Sequence, residues 1–423
     1  MTPAAYDARV RTSGLDLAPF RALRYAPGRT AGLAGVTSPP YDVVVRPDGQ
    51  RALETADAHN IVRLILPPSP DRAAATLTAW RRDGILVRED LPALYVYEQR
   101  AAGTVLQRGL IGALRLTPPA ERVVLPHEDV MPDVVAERAA LLRATATNFE
   151  PLLLSYRGHA DDAAATAVDT AAADPPWTAL TTDDGVEHRL WRVADPARQA
   201  AVTHALAAHH ALIADGHHRW ATCLRLRDEQ GARPPWDRTL VLLVDTARHP
   251  LRVQAIHRVL PGLRPADALA RLTGAFRVRQ VAAPLDAALR TLDATPGTAF
   301  LLADNGGSFH LLDRPDRALL ERTVPADRPA AWRRLDATVL HATLLDALWH
   351  VPDRPGAIAY LHDAPAAVAQ AARLGGTAVL LRPVREETVR ALAERGVTMP
   401  RKSTSFGPKP LTGLVMRALT DQS

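Results

Sequence analysis

Short apolar runs alternate with amphipathic segments along this chain. Residues 211–214 and 239–244 are compact and apolar, which is typical of buried strands. Residues 136–147 and 219–230, and the segment that runs from residue 71 to Asp83-Gly84, carry apolar side chains at helical spacing. This alternation predicts an α/β (α+β) fold in which helices pack on mixed sheets.

Three further segments in the same part of the chain predict strands or turns. Residues 61–66 are β-branched and end at Pro67-Pro68, and residues 93–98 alternate around two tyrosines, so we predict a strand for each. Asp184-Gly185, followed by the apolar and polar alternation of residues 186–191, predicts a β-hairpin.

The length of 423 residues exceeds what one hydrophobic core usually serves. An alanine- and aspartate-rich segment, 159–178, ends at a proline pair and reads as a linker or an exposed helix, which makes it the best boundary. We therefore predict an N-terminal α/β domain over 1–158, a phosphate-binding unit over 179–260, a small α/β insert over 261–330 and a C-terminal segment over 331–423 that completes the site.

Charge and composition restrict the class of protein. The formal net charge is +5, from 51 basic and 46 acidic residues, and no block of five or six like charges occurs, so binding to nucleic acid is not expected. Cys223 is the only cysteine, which excludes an internal disulfide and a zinc site of several thiolates. The start of the chain lacks a signal-peptide pattern and no apolar run is long enough for a membrane span, so we expect a cytoplasmic protein without a membrane partner.

The strongest chemical signal is the segment Asp215-Gly216-His217-His218-Arg219. An apolar strand ends at Asp215, Gly216 permits a sharp turn, and the histidines and Arg219 open a helix. Backbone N–H groups, the positive end of the helix dipole and a guanidinium then meet at one place, which predicts a phosphate site. Asp215 could bind Mg²⁺ or orient a histidine. An aspartate N-cap followed by surface histidines is the alternative.

A second cluster, residues 126–129, follows a strand-like run. His127 or Glu128 could act there as a general base or as a metal ligand. A salt-bridged loop explains the same residues equally well.

A rigid turn near the start of the chain presents two more polar side chains. Pro39-Pro40 fix extended backbone angles and hold Tyr41 and Asp42 in place, either for function or for turning the chain. Asn60 and Asn148 lie near these clusters, and capping or core hydrogen bonds would explain them as well as ligand contacts.

Only two of the 51 basic side chains are lysines, and both lie in residues 401–410. Because ammonium and guanidinium groups are not interchangeable, Lys402 and Lys409 mark a place where a compact cation is needed. With Ser403 and Thr404 between them, they could bind a carboxylate or a phosphate. The alternatives are a chance cluster and a structural tail that packs Phe406 into a groove.

Several segments, taken together and in order, resemble the bacterial and archaeal family labelled domain of unknown function 1015. These segments are 20–24, 38–43, 60–64, 94–99, 126–128, 214–219 and 399–404. The resemblance covers nearly the whole chain but names no activity. The chain departs from the family pattern at Arg401, Ser405 and Gly407, and at Ala255, which puts an aromatic contact with the substrate in doubt.

A narrower resemblance concerns about twenty residues around Asp215–Arg219, within a predicted element over 205–245. It is to the ParB and sulfiredoxin superfamily, which includes archaeal free-serine kinases. There a glycine turn with an arginine at a helix start binds nucleotide phosphates. The resemblance implies that Gly216, His217, His218 and Arg219 bind phosphates in this chain.

These observations favour a Mg²⁺-dependent, nucleotide-using phosphotransferase, a kinase with ATP or ADP as cofactor and a small hydroxylated metabolite such as free serine as substrate. We predict catalytic roles for Glu128 or Asp42 as base, for Asp215 as metal ligand and for His217. The predicted substrate-binding residues are Tyr41, Asn60, Arg63, His127, Lys402, Ser403, Thr404 and Lys409. The alternatives are a nucleotide-binding regulatory module without turnover and a metal-dependent hydrolase, and a homodimer is the assembly to test.

Overall fold

The structure, a computed structural model, describes residues 14–44, 47–159, 162–281, 284–303, 307–354 and 356–420. The first residues of the chain, to which the expectation about a signal peptide refers, lie outside these ranges. The chain forms two compact units. Unit 1 contains the residues up to 126, residues 130–251 and the residues from 408 onward, and unit 2 contains residues 127–129 and 252–407. The predicted domain bounds stay predictions.

The strands of the described residues are longest in unit 1. In chain order they are β1 Leu17–Ala18, β2 Leu23–Tyr25, β3 Leu86–Arg88, β4 Leu94–Ala101, β5 Thr104–Arg115, β6 Val124–Leu125, β7 Thr147–Asn148, β8 Leu152–Tyr156, β9 Thr178–Thr181, β10 Glu187–Val193, β11 Ala211–Asp215, β12 Arg238–Asp245, β13 Arg252–Gln254, β14 His257–Leu260, β15 Arg277–Val281, β16 Ala299–Ala303, β17 Phe309–Asp313, β18 Ala359–Leu361, β19 Thr377–Leu380, β20 Ser405–Gly407 and β21 Arg417–Ala418.

The helices of the same residues alternate with these strands. They are α1 Leu33–Val36, α2 Asp48–Ala56, α3 Val62–Ile65, α4 Pro70–Arg82, α5 Pro132–Thr145, α6 Ala163–Ala172, α7 Pro196–Leu206, α8 His217–Glu229, α9 Pro265–Ala270, α10 Leu285–Asp293, α11 Arg317–Thr323, α12 Ala330–Arg333, α13 Asp336–Val339, α14 Ala364–Leu374 and α15 Glu386–Ala393, with a 3-10 turn at Pro119–Glu121 and a π-helix at Leu340–Leu348. No helix in the described ranges is both long enough and apolar enough to cross a membrane.

Unit 1 is built on a mixed sheet with the strand order β6-β11-β8-β12-β5-β4-β10-β9, and β1 pairs with β5. Strand β11 is parallel to β6 and antiparallel to β8, and β8 is parallel to β12. Apolar side chains of the sheet form one core with those of α5 and α8, among them Leu142, Trp220 and Leu226. The predicted α/β class with mixed sheets is confirmed.

The element that carries the strongest chemical signal has the predicted form. Strand β11 is completely apolar up to Ala214, the turn lies at Gly216, and α8 and then β12 follow. The predicted hairpin is also present, because β9 and β10 pair antiparallel on either side of Gly185, whose φ is 78°. The strand predicted at 93–98 is β4.

The strand predicted at 61–66 is wrong, because this segment forms the short helix α3. The side-chain oxygen of Asn60 accepts a hydrogen bond from the backbone N–H of Val62 at 2.9 Å. The backbone N–H groups of Ile65 and Leu66 then bond to the carbonyls of Ile61 and Val62. An asparagine at a helix start satisfies a donor that has no partner in the helix, and this local effect outweighs the β-branched composition.

The segment 159–178 contains the helix α6, which begins at the capping side chain of Asp162. Ala164, Ala165, Val168 and Ala171 are buried on one face of this helix, and all but Ala165 belong to the same core as the sheet of unit 1. The helix is therefore an integral part of the packing of unit 1.

Unit 2 is built on an antiparallel sheet with the order β15-β17-β16-β19-β14-β18. Side chains of β16 alternate between two cores. Phe300 and Leu302 face the π-helix and its neighbours, and Leu301 packs with α10 and α14. Helices thus cover both faces of this sheet, which explains why β16 and β19 are buried along their whole length.

Candidate functional site

The candidate site of unit 1 begins where β11 ends. The register between β11 and β8 shifts between Ile213 and Asp215, so a bulge lies directly before the turn. Gly216 has φ 100°, a conformation that side chains rarely allow, and α8 begins after it without a side-chain cap. Gly216 has no side chain that could cap the first N–H groups of α8, and the positive end of the helix dipole lies at the turn.

Two cations meet at Asp215. Arg219 donates from Nη2 to one carboxylate oxygen of Asp215 at 2.6 Å, and the Nζ of Lys409 lies 2.6 Å from the other oxygen. The same Nζ lies 2.6 Å from Oδ2 of Asp42. The structure thus brings together Asp42, Asp215, Arg219 and Lys409, all of them predicted site residues, and we call these four residues the charge network.

The network perturbs the titration of its members. Burial opposes ionisation of Asp42, but Lys409 and Arg219 outweigh this and hold the pKa of Asp42 below its ordinary value. Burial alone would lower the pKa of Lys409, but Asp215 and Asp42 raise it to about 12. Burial likewise opposes the charge on Arg219, and Glu150, Asp215 and Asp42 raise its pKa above the ordinary value. All three side chains are therefore charged at neutral pH.

A second layer of polar groups lies beside the network. Glu150 accepts a hydrogen bond from the backbone N–H of Tyr41 at 2.8 Å, and the guanidinium of Arg138 lies over the Tyr41 ring, 4.4 Å from its centroid. Burial raises the pKa of Glu150, against the opposing effect of Arg219. Burial also raises the pKa of Tyr41, to about 12, and Arg219 counteracts this rise. Tyr41 is thus neutral at neutral pH and joins the predicted turn to the network.

Sequence reasoning missed Arg138 and Glu150. Arg138 lies on the face of α5 that also carries Val135, Ala139 and Leu142, and 9% of it is exposed. A charged residue at core spacing on a helix is a signal that could have identified it, since charged residues are buried mainly when they are paired or functional. Glu150 lies between β7 and β8 without any local pattern.

The other predicted residues of unit 1 lie apart from the charge network or beside it. Asn60 is completely buried, and its side-chain amide donates to the carbonyls of Gly35 and Thr37. Arg63 donates to the carbonyl of Glu54. His218 accepts from the backbone N–H of Met131 at 3.0 Å, and His217 is buried in the first turn of α8. The contacts of Asn60 are those of a structural residue.

Unit 2 brings together most of the remaining predicted residues. His127 is buried, and its Nε2 lies 2.9 Å from the hydroxyl oxygen of Thr404. Glu128 forms a parallel bridge with Met399, and the hydroxyl of Ser403 donates to the carbonyl of Pro400. Lys402 has φ 55°, a left-handed conformation that is uncommon for residues other than glycine, and its side chain is exposed.

Arg258 holds the segment around Lys402 in place. It is completely buried and donates from Nη2 to the carbonyl of Lys402 at 2.9 Å and to Nε2 of His341 at 3.1 Å. Burial lowers the pKa of Arg258 to about 10, although Tyr360, Asp353 and Glu128 raise it. His341 lies on the π-helix, and such helices are frequent at functional sites.

The described ranges contain no group of three or more His, Cys, Asp or Glu side chains that could hold a metal ion. Both carboxylate oxygens of Asp215 contact cationic side chains. A metal ion at Asp215 would have to replace Lys409 or Arg219, and the predicted metal role of Asp215 stays a prediction.

The fold and this site define a mixed α/β protein in which a strand, a glycine turn and a helix carry a partly buried network of charges. The family described as "Protein of unknown function (DUF1015)" matches residues 17–338, and the chain belongs to this family. The resemblance of the sequence to that family is therefore confirmed. The resemblance of residues 205–245 to the ParB and sulfiredoxin superfamily stays a prediction.

Solved structures give weaker similarities. A mutant of free serine kinase in complex with ADP is 15% identical, with a TM-score of 0.37 over 71% of this chain and 90% of the other. A conserved hypothetical protein from Pyrococcus furiosus is 16% identical, with a TM-score of 0.35 over 71% and 94%. SbnI with a C-terminal truncation, from Staphylococcus aureus, is 10% identical, with a TM-score of 0.37 over 74% and 90%. No curated protein matches the chain.

Proposed function

We propose that this protein is a nucleotide-dependent phosphotransferase, a small-molecule kinase, and that it binds nucleotide phosphates at Asp215–Arg219. One observation carries the proposal. The start of α8 has no side-chain cap, and Arg219 and Lys409 both lie within 2.6 Å of Asp215 at that place. Helix N-termini and cationic side chains are the groups that usually bind phosphates in proteins.

A nucleotide phosphate fits the groups that are present. Arg219 has five N–H donors, and within the described residues Nη1 donates to the carbonyl of Pro151 and Nη2 to Asp215, so each of these nitrogens has a second hydrogen for a phosphate oxygen. The side chain of Lys409 is 19% exposed, and it can turn from Asp42 to an incoming phosphate. His217 and His218 occupy the first turn of α8, where the narrower resemblance of the sequence implies phosphate contacts.

Phosphoryl transfer requires mainly positioning and neutralisation of charge. A hydroxyl oxygen of the acceptor attacks the terminal phosphorus, the bond from that phosphorus to the bridging oxygen breaks, and the nucleoside diphosphate leaves. The proton of the hydroxyl passes to a carboxylate. Asp42 is a weak base for this step, since Lys409 and Arg219 hold its pKa low. Glu150 is a stronger base, since burial raises its pKa. Glu128, in unit 2, stays a predicted base.

The described residues do not form a Mg²⁺ site on their own, because both oxygens of Asp215 are in use. We propose that Mg²⁺ is bound only together with the nucleotide, whose phosphates usually supply part of its ligands.

Calorimetric titration with ADP and ATP, with and without Mg²⁺, tests the phosphate site. Arg219→Lys keeps the charge but loses the guanidinium, and we expect the affinity to fall at least about tenfold, the usual cost of a lost hydrogen bond to a charged group. Arg225→Lys is the matched control, because Arg225 lies on the same helix, 49% exposed, in a pair with Glu229. Equal affinity of both variants for ADP would refute the site.

Transfer is tested separately, by phosphorus NMR of mixtures of ATP, Mg²⁺ and single acceptors, with L-serine first. We expect a new phosphomonoester signal with at least one acceptor, and its loss in the Arg219→Lys variant. ADP binding without transfer to any amino acid, sugar or hydroxy acid would refute the phosphotransferase and would support the regulatory alternative.

A further inference from the structure

A small cavity lies beside the charge network in unit 1. Its volume is about 60 Å³, and its walls include the charged residues Arg138, Glu150 and Arg219 and the apolar residues Leu141, Leu142 and Phe149. A cavity needs about 10–15 Å³ for each water molecule, so this one holds roughly four to six waters. Covalently bonded atoms lie closer together than waters do, so this volume accommodates a molecule of roughly six or seven non-hydrogen atoms.

The polar groups around the cavity differ in what they still require. The hydroxyls of Thr145 and Thr147 donate to the carbonyls of Leu141 and Thr145, at 2.9 Å each. Cys223 and Thr239 contact each other at 3.2 Å. In contrast, the Nε atoms of Arg138 and Arg219 are buried without a hydrogen-bond partner within the described residues. Among the fully buried polar atoms of the wall residues, these two Nε donors, both on cations, still require a partner within the described residues.

The third charged wall residue has the opposite requirement. Glu150 is 9% exposed, and its only hydrogen bond within the described part of the chain comes from the backbone N–H of Tyr41. A carboxylate has room for about four hydrogen bonds, so Glu150 can accept further donors. A ligand that forms hydrogen bonds with all three charged residues carries an anionic acceptor for the two arginines and a hydroxyl or an ammonium group for Glu150.

We propose that this cavity is the acceptor site of the phosphotransferase and that it binds a carboxylic acid of about three carbons with a hydroxyl group. The carboxylate contacts Arg138 and Arg219, and the hydroxyl or an amino group contacts Glu150. Arg219 thereby lies between the phosphate site and the acceptor site. This assignment rests on the proposed function, and it narrows the acceptors to small hydroxy acids, with or without an amino group, because simple sugars lack the carboxylate.

Calorimetric titration of the full chain without nucleotide tests this site. L-serine and glycerate carry both groups, serinol replaces the carboxylate of serine by a hydroxymethyl group, and propionate has the carboxylate without a donor. We expect L-serine or glycerate to bind at least about tenfold more tightly than serinol and propionate, because each lacks one hydrogen-bonded charged or polar group. Serinol that binds as well as L-serine, or no binding by either acid, would overturn the assignment.

Variants separate a binding role from a structural one. Arg138→Lys keeps the charge and loses Nε, and Arg143→Lys is its control on the same helix, because the side chain of Arg143 is 47% exposed. We expect only Arg138→Lys to lose affinity for the acid, at least about tenfold, with unchanged affinity for ADP. Should Arg138→Lys fail to fold, Thr145→Ile, which adds carbon atoms at the cavity wall, is expected to lose acid binding in the same way.

The assignment and the proposed function fail in different ways. ADP binding and transfer with an acceptor that lacks a carboxylate would overturn the cavity assignment alone. Binding of L-serine or glycerate to a protein that binds no nucleotide would support the cavity and refute the phosphotransferase.

Discussion

Gly216 gives the sharpest test of how the turn and Arg219 depend on each other. A Cβ atom at residue 216 would lie 3.1 Å from Nη2 and 3.2 Å from Nε of Arg219, and 3.2 Å from Cγ of Leu152. The guanidinium cannot easily yield, because it is held at 2.6 Å by Asp215 and at 3.2 Å by the carbonyl of Pro151. Gly216→Ala therefore forces the guanidinium out of its position in the charge network.

Two costs add in this variant. An alanine in a left-handed conformation costs about 1–2 kcal/mol. Weakening one hydrogen bond to a charged group costs a further amount of about 1.5–3 kcal/mol. Gly185→Ala is the matched control, since Gly185 has φ 78° and a Cβ there would meet no atom within 4 Å. Gly185→Ala should lose only the free energy of unfolding that an alanine in a left-handed conformation costs.

Two assays measure these costs. Urea denaturation should give a free energy of unfolding that is about 1.5–3 kcal/mol lower for Gly216→Ala than for Gly185→Ala. ADP titration should give a dissociation constant about 10- to 150-fold higher for Gly216→Ala, and an unchanged one for the control. Equal losses of stability in the two variants, with unchanged ADP affinity, would refute the claim that Gly216 is needed to place Arg219.

Two further predictions concern His188 and Lys402. His188 is 4% exposed, and its Nδ1 lies 2.7 Å from the hydroxyl oxygen of Tyr97. Burial lowers the pKa of His188 from 6.5 to about 4. The unfolded chain therefore binds a proton at a higher pH than the folded protein does, and the folded state loses stability as the pH falls from about 6.5 to 4. His188→Gln should reduce this loss in denaturation measured at several pH values, whereas the exposed His204→Gln should not; parallel curves for His188→Gln and the unmodified chain would contradict the assignment. Lys402→Arg should lower kcat/KM for phosphoryl transfer at least about tenfold although it keeps the charge, because a planar guanidinium does not replace a compact ammonium group in contact with an anion. The control is Arg401→Lys, and unchanged turnover of Lys402→Arg would attribute the retention of Lys402 to codon usage.

Local chemistry made part of this structure predictable. The strand, the turn and the helix around Gly216 follow from an apolar run, a glycine and helical spacing within twenty residues, and the α/β class follows from the same kind of pattern. The wrongly predicted segment 61–66 also depends on a local contact, the hydrogen bond from the backbone N–H of Val62 to the side chain of Asn60. In both cases the residues that determine the local structure are close together in the sequence.

The charge network was predictable in its members but not in its pairing. Lys409 contacts Asp42, 367 positions earlier in the chain, and no pattern of neighbouring residues encodes such a contact. The sequence indicated a functional role for Lys409 only because lysine is so rare in this chain. Glu150 gave no signal at all, since its burial results from how β7, β8 and the Tyr41 turn meet in unit 1.

Unit 1 can be completed only after unit 2 has been synthesised, because it also contains the residues from 408 onward. Residues 252–407 form unit 2, and the chain then returns to unit 1 with Lys409 and with β21, which pairs with β7. During synthesis Asp42 and Asp215 are therefore present long before their shared cation. Until residue 409 has left the ribosome, the ammonium group that offsets the repulsion between these two carboxylates is missing from the charge network.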